Sequence, residues 1–308
     1  MNSNISHTTA SEFSPVRTAD EPKIAEQTPA KRVTEYTPSG HIGMGFGAWR
    51  EMVQELWESR ELTWRLFLRD FSARYRQSLL GYVWAFLPPL IMVATFTWLN
   101  RNNILPVGET KLPYPVYVLL GTTVWQLFAS GLTGATQSLV GASALITKIN
   151  FPREVLVLSA FMQSLLEFFV RCFLLVAAFA FYRIVPSPAI LLLPLAILPL
   201  CLLTLGLGYI FALINGVLRD AGQIITFLLT FWMFLTPVVY PAATTGAKSV
   251  LNVANPVSPF VIAAQDLAAH GALSQPQNYL IGCGVSLVVF LLGWRLFHLT
   301  ETRIVERV

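Results

Sequence analysis

Six long apolar stretches, separated by short polar connections, fill most of the chain from residue 79 onward. A helix needs about 20 apolar residues to cross roughly 30 Å of hydrocarbon, and each stretch is close to that length. The pattern therefore predicts an all-α integral membrane protein with six transmembrane helices. The spans are predicted near residues 79–99, 115–138, 154–182, 190–214, 221–240 and 279–299.

A different period precedes the spans. Between residues 49 and 71, apolar residues recur at steps of three and four, with Glu and Arg between them. This spacing predicts an amphipathic helix, broken near Ser59, that lies in the membrane interface. It is either an ordinary interfacial anchor or a helix that also contacts a cytoplasmic partner. Its apolar residues are Trp49, Met52, Val53, Leu56, Trp57, Trp64, Phe67, Leu68 and Phe71.

Residues 1–45 have no apolar period and are rich in Ser, Thr, Pro and charges of both signs. Such a segment cannot bury enough apolar surface to offset its chain entropy, so we expect a disordered cytoplasmic tail. An amphipathic and basic segment at 46–78, a transmembrane domain at 79–299 and a cytoplasmic C-terminus at 300–308 follow it.

Residues 241–278 interrupt the apolar pattern, because Pro and Gly punctuate stretches that are only moderately apolar. A segment that is apolar but too broken to span predicts one or two short re-entrant helices. The alternative is an extracytoplasmic loop with an interfacial helix.

Composition and charge agree with a membrane protein, since 54% of the residues are hydrophobic and only 12% are charged. The net charge is +4, but the cations lie beside the spans, so we expect lipid headgroups and not nucleic acid as their partners. Cytoplasmic flanks are enriched in Lys and Arg, which predicts that both termini are cytoplasmic. The cations assigned to the cytoplasmic side are Arg60, Arg65, Arg69, Arg74, Arg76, Lys148, Arg153, Arg219, Arg303 and Arg307.

Candidate catalytic groups are sparse. The four histidines are scattered, and the sequence has no HExxH, GxSxG or CxxC motif. The three cysteines lie inside apolar runs at unrelated spacings, which indicates neither a disulfide framework nor a metal site. A phosphate-binding loop is missing too. We therefore predict no catalytic residue, metal site or cofactor in this chain, and we expect any nucleotide on another chain.

One charged pair lies inside a predicted span. Glu167 and Arg171 are four residues apart and share a helix face. Charge at this depth is costly and a mutual salt bridge reduces the cost. The pair is either a helix–helix staple or part of a substrate pathway or dimer contact.

Aromatic residues form a second pattern. Phe227, Phe231 and Phe234 fall on one stripe of the fifth span, while Tyr82 and Phe86 lie in the first span. Such stripes face lipid or a neighbouring helix in most membrane proteins. Their flat rings could instead line a conduit for sugars, where stacking guides without holding tightly.

Two runs carry a family resemblance. The run LFLRDFSARYRQSLLGYVWAFLPPL at 66–90 resembles the signature region of ABC-2 type permeases that export lipid-linked polysaccharides such as O-antigen and teichoic acid. The run ITKINFPREVLVLSA at 146–160 is similar to the second signature of that family. Together with the six-span pattern, the resemblance covers roughly residues 50–308.

The resemblance implies a type V exporter fold in the bacterial inner membrane. Two copies of this chain would form the pore, and two copies of a separate ATPase, which binds ATP and Mg, would dock beneath them. It further implies that the interfacial helix near 50–61, with Trp57, clasps the ATPase, that the segment 241–278 gates the outer side, and that spans one and five line the conduit. A coupling helix is implied at about residues 141–153, with contacts from Lys148, Asn150, Phe151, Pro152 and Arg153.

The implied substrate is a polyprenyl-diphosphate-linked glycan. Arginine forks match phosphate oxygens, so Arg65, Arg69, Arg74 and Arg76 are candidates for its diphosphate; the alternative is that these charges only set topology. Two other functions stay open, an ABC-2 permease for a small drug or lipid and an integral-membrane enzyme acting on a polyprenyl lipid.

Overall fold

The computed structural model describes residues 46–75, 83–104, 107–242 and 252–304, and helices dominate them without any strand. The all-α prediction is therefore confirmed for this part of the chain. The predicted tail at 1–45 lies outside the described residues. The helices are α1 Phe46–Glu58, α2 Arg60–Tyr75, α3 Val83–Arg101, α4 Tyr114–Gly141, α5 Ser143–Ile146, α6 Glu154–Phe181, α7 Leu193–Ala196, α8 Leu198–Val217, α9 Ala221–Leu235, α10 Ser258–Ala269 and α11 Pro276–Ile304.

Within the described residues, four segments are long and apolar enough to cross a membrane: Tyr114–Gly141, Glu154–Phe181, Pro188–Val217 and Pro276–Thr300. The chain is thus a multi-pass membrane protein. The first and fifth predicted spans correspond to α3, which has 19 residues, and α9, which has 15. The count of six spans stays a prediction.

The fifth span is shorter than predicted. We expected a helix over 221–240, but α9 stops at Leu235 and Thr236 is extended, with φ −101° and ψ 138°. Pro237 follows, and a residue before proline is pushed out of the helical region. The segment after Thr236 is then held in place, because the Tyr114 hydroxyl donates to the Val239 carbonyl at 3.0 Å and the Gln265 amide donates to the Pro237 carbonyl at 3.2 Å.

Helix α4 is the centre of the bundle. It packs against α6 on one side and α8 on another, and α8 packs in turn against α11. In its most apolar window 83% of the residues are buried, against 22–39% in the other three membrane-length segments. Large side chains of α4, including Trp125 and Phe128, lie in the main apolar core.

Small residues bring α8 and α11 into close contact. A Cβ atom added to Gly293 would collide with the carbonyl oxygen of Gly206, and one on Gly206 would lie 2.6 Å from the backbone of Phe290. Close approach over glycine is a common way for helices to associate in membranes, where burial of apolar surface supplies little drive.

The two N-terminal helices meet at a turn at Ser59. Helix α2 packs against α6, and Met52 and Leu66 are buried in a second core cluster at the end of the bundle where α4 stops and α6 begins. Trp57 and Trp64 remain exposed. One face of this helix pair therefore packs on the bundle and another is open, while its place in the membrane interface stays a prediction.

Helix α10 lies in the region predicted to be re-entrant. It packs against α4, α7 and α11, and every side chain from Ser258 to Ala268 is buried. The helix is thus enclosed by its own chain, and both alternatives for this segment stay predictions. Residues 243–251 lie outside the described part of the chain, so the re-entrant path stays a prediction.

Candidate functional site

Among the described residues, two cavities with polar groups in their walls lie between the apolar helices. The first, the α2–α4–α6 cavity, has a volume of about 340 Å³, and the second, the α3–α4–α9 cavity, about 540 Å³. They share one wall, made by Ser130, Gly134 and Gln137 of α4. The two cavities are therefore neighbours along a single helix.

That wall is part of a polar stripe on α4. Its members recur at steps of three and four residues, which places them on one helical face. We call them the α4 polar stripe: Gln126, Ser130, Thr133 and Gln137. Gly134 lies among them and has no side chain. The facing walls are also polar. In the first cavity α6 contributes Ser159, Gln163 and Glu167, and in the second α9 contributes Thr226 and Thr230.

The hydroxyl groups and the amides of these walls differ in how they are bonded. Ser130 donates to the Gln126 carbonyl at 2.6 Å and Thr230 to the Thr226 carbonyl at 3.1 Å, so each hydroxyl oxygen keeps lone pairs for another partner. The side-chain amides of Gln126, Gln137 and Gln163 form no hydrogen bond with any other described residue. A polar group left alone in hydrocarbon is costly. The cavities therefore suit water or a ligand rich in hydrogen-bonding groups.

The predicted charged pair forms. An Arg171 guanidinium nitrogen lies 3.1 Å from the Glu167 carboxylate, and the side chains are 12% and 21% exposed. Glu167 also lines the α2–α4–α6 cavity. The pair is thus placed beside a cavity and not only between two packed helices.

Two of the four arginines predicted to bind the diphosphate have described side chains, and each of them pairs with a nearby carboxylate. Arg65 pairs with Glu61 at 2.6 Å on the open surface, and Arg69 pairs with Asp70 at 2.7 Å. Arg69 and Asp70 both line the α2–α4–α6 cavity. The side chain of Arg74 and all of Arg76 lie outside the described residues.

The phenylalanine stripe does not line either cavity. Phe227, Phe231 and Phe234 are more than half exposed, and the rings of Phe227 and Phe231 are 4.8 Å apart. The residues of α9 that line the α3–α4–α9 cavity are Thr226, Leu229, Thr230 and Met233, and three of these directly precede a phenylalanine of the stripe. Phe86 is half-buried on α3, and Tyr82 lies outside the described residues. A conduit wall that joins these aromatic side chains stays a prediction.

The loop from 141 to 153 divides into open and enclosed parts. Lys148 and Asn150 are exposed. Phe151 is 5% exposed and packs in the second core cluster, and Pro152 and Arg153 are buried. Phe151 is thus occupied within its own chain, and the contact with a partner stays a prediction for this loop. Trp57 is 67% exposed, with the Arg60 guanidinium 4.9 Å from its ring centre.

Sequence reasoning missed a polar junction beside this loop. The His298 Nδ1 atom lies 3.0 Å from a carboxylate oxygen of Glu154, and Glu154 is 1% exposed. Arg295, one helical turn before His298, donates to the Met52 sulfur at 3.5 Å. The residues that meet here are far apart in the chain, so no local spacing announces the junction.

Two further polar contacts fix helix ends. The Asn215 side chain donates to the Thr136 carbonyl at 3.0 Å and accepts from the Gly222 amide at 2.9 Å, which ties α8 to α4 and to the start of α9. At the opposite end of α4, buried Asp266 accepts from Lys111 and from the Ser274 amide. Among the described residues, no group of three or more His, Cys, Asp or Glu side chains could hold a metal ion.

Comparison with known proteins gives a family and several relatives. The sequence profile of the ABC-2 type transporter family matches residues 61–268. The O-antigen export system permease protein RfbA of Myxococcus xanthus is 31% identical over 259 residues, which are 82% of this chain and 96% of that protein. An RfbA protein of Klebsiella pneumoniae is 27% identical, over 77% of this chain and 91% of its own length. The polysialic acid transport protein KpsM of Escherichia coli is 23% identical, over 57% of this chain and 68% of its own.

Proposed function

Because this chain belongs to the ABC-2 type transporter family, we propose that it is the permease subunit of an ABC exporter for a lipid-linked, cell-surface polysaccharide. The observation that carries the proposal is the similarity to an O-antigen export permease along 96% of that relative's length. The polar cavities support it as well, because a hydroxyl-rich polymer cannot cross a bilayer without hydrogen-bonding partners along its path.

The proposed assembly contains two copies of this chain and two copies of an ATPase subunit, in the bacterial inner membrane with both termini in the cytoplasm. The cavities support pairing, since both are open and their amides would otherwise meet lipid. ATP and Mg belong to the ATPase in this proposal. The exposed tip at Lys148 and Asn150, together with Trp57, supplies the contact through which nucleotide-driven movement reaches the spans.

The substrate carries a polyprenyl diphosphate anchor in this proposal, and Arg65, Arg69, Arg74 and Arg76 bind its phosphates. The side chains of Arg65 and Glu61 are 74% and 73% exposed. An ion pair in such a position contributes about 0–1 kcal/mol at most, so Arg65 can leave Glu61 for a diphosphate at little cost.

Deletion of the gene tests the function directly. Cells without this chain should lose the surface polysaccharide and should accumulate its lipid-linked form on the cytoplasmic face, because synthesis continues while export stops. Both changes should revert when the full chain is supplied from a plasmid. Unchanged surface polysaccharide in the deletion strain would reject the proposed function.

A further inference from the structure

We propose that the α2–α4–α6 cavity is a sugar-binding site, in which Gln137, Gln163 and Glu167 hold one unit of the polymer by its hydroxyl groups. This inference rests on the proposed function and adds to it a binding site whose residues the apolar pattern of the sequence does not reveal.

The bonding state of the walls indicates a ligand. Gln137 of α4 and Gln163 of α6 face the same cavity, and neither amide bonds to another described residue. Each amide offers two donors and an acceptor with two lone pairs. Ser159 and Ser164 bond to carbonyls of their own helix at 3.0 and 2.7 Å, so they add acceptor oxygens. A sugar hydroxyl both donates and accepts, and it complements amides and hydroxyls alike.

The charges of the cavity favour a sugar over a phosphate. Its lining contains one cation, Arg69, and two carboxylates, Asp70 and Glu167. The Arg69 Nε atom already lies 2.7 Å from Asp70. Because Asp70 already pairs with Arg69 and Glu167 with Arg171, the cavity offers an anionic ligand no cation without a carboxylate partner, whereas carboxylates are strong acceptors for neutral hydroxyl donors. The diphosphate anchor therefore belongs beside the α2 wall, where Arg69 lies, and the first sugars belong against the walls made by α4 and α6.

The cavity is also placed for transfer along the bundle. Gln137 lines both cavities, and the α4 polar stripe continues from it past Ser130 to Gln126. A path for a long polymer needs repeated sites that hold each unit weakly enough to release it, as in other membrane conduits. A row of amides and hydroxyls at one-turn intervals on α4 has this property.

Leucine variants test the site with matched controls. Gln163→Leu changes only the α2–α4–α6 cavity and Gln137→Leu changes both, while Gln277→Leu alters an exposed glutamine at the start of α11 that lines neither. Each full-length variant is supplied to the deletion strain, and surface polysaccharide is measured per inserted chain. One lost hydrogen bond corresponds to about 2- to 10-fold, so we expect export to fall by that factor in Gln163→Leu and Gln137→Leu and to stay at the parent level in Gln277→Leu.

A labelling experiment covers the case in which a leucine variant does not accumulate. The three native cysteines are replaced, cysteine is placed at 163 or at 277, and the purified complex is treated with a water-soluble maleimide. The probe is the lipid-linked polysaccharide extracted from the deletion strain. We expect this polymer to slow labelling at position 163 and to leave position 277 unchanged.

Parent-level export by Gln163→Leu and Gln137→Leu, or labelling at 163 that the polymer does not slow, would overturn the sugar site. These results are separable from failure of the proposed function. If the deletion strain loses its surface polysaccharide while Gln163→Leu exports normally, only the sugar site is rejected. If the deletion strain keeps its polysaccharide, the proposed function itself is rejected.

Discussion

At the scale of single residues, the contact between His298 and Glu154 should be especially sensitive to substitution. Glu154 is almost fully buried, and His298 is the partner of one of its carboxylate oxygens, while the other has none among the described residues. Removing one partner of a buried polar pair leaves the second group desolvated without compensation. The junction therefore holds the start of α6 to the end of α11.

We expect His298→Ala to lower the free energy of unfolding by about 1–3 kcal/mol. The measurement is thermal unfolding of the purified chain in detergent. His270→Ala is the control, since that imidazole is exposed at the end of α10. Equal stability of the two variants would show that the pair is dispensable.

The buried position of Phe151 leads to a second expectation. Phe151→Ala opens a cavity in the second core cluster, and truncation of a buried phenylalanine costs about 3–5 kcal/mol. This variant should therefore insert poorly or unfold at a lower temperature. Lys148→Ala with Asn150→Ala should leave stability unchanged but reduce export for each ATP hydrolysed, because both side chains are exposed at the tip of the loop. If Phe151→Ala kept its stability but lost export per ATP, while the double variant lost stability, this division of the loop would be contradicted.

At the scale of elements, the contact between α8 and α11 depends on the absence of side chains. We expect Gly293→Ala to destabilise the protein by about 1–3 kcal/mol, since its methyl group would meet the Gly206 backbone and the helices would have to separate. Gly284→Ala, on the same helix with nothing within 4 Å of the added atom, should have little effect. Melting temperatures of the two variants provide the comparison.

The long helices are predictable from the sequence because the length and the apolar character of a segment are almost sufficient to identify it as a helix. The span predicted at 154–182 is the helix Glu154–Phe181, and the one predicted at 115–138 is Tyr114–Gly141. The end of α9 is harder to place, since apolar residues continue past Pro237 and hide the break. Once the structure is known, the effect of that proline on Thr236 is plain.

The site is much less predictable. The α4 polar stripe alternates with apolar residues at helical spacing, so it is hidden when a span is judged by its average apolarity. Whether this stripe lines a cavity depends on α6 and α9, which provide the facing walls. Whether Phe151 is an exposed anchor or a core residue likewise depends on the cluster that it joins, which includes Met52 and Leu66 from a distant part of the chain. Local spacing contains no information on such contacts.

At the scale of the whole molecule, the open cavities require a cover. Because the α3–α4–α9 cavity is open and has the amides of Gln126 and Gln137 in its wall, a second copy that closes it would remove the cost of exposing these amides to lipid. The exposed phenylalanine stripe of α9 flanks this opening. In a two-fold dimer a residue near the axis meets its own copy.

We therefore expect Phe231→Cys, in a chain without its native cysteines, to form a disulfide between two copies in membranes under mild oxidation. Phe173→Cys is the control, since Phe173 is 74% exposed on α6, away from the cavity. Dimer bands on non-reducing gels are the measurement. Cross-linking at 173 but not at 231 would place the pairing surface on α6 instead.

The central position of α4 has a further consequence for how the protein is made. Among the four membrane-length segments, α4 is the least apolar and the most enclosed, yet ribosomes complete it before α6, α8 and α11, which enclose it. During synthesis its glutamines and threonines have no neighbours to shield them, so α4 should partition poorly into lipid on its own. Stalled chains that end shortly after residue 141 should remain extractable by alkaline carbonate or cross-linked to the translocon, whereas chains that extend past α8 should resist extraction. On this expectation, the polar face of α4 makes its stable insertion dependent on helices that have not yet been translated.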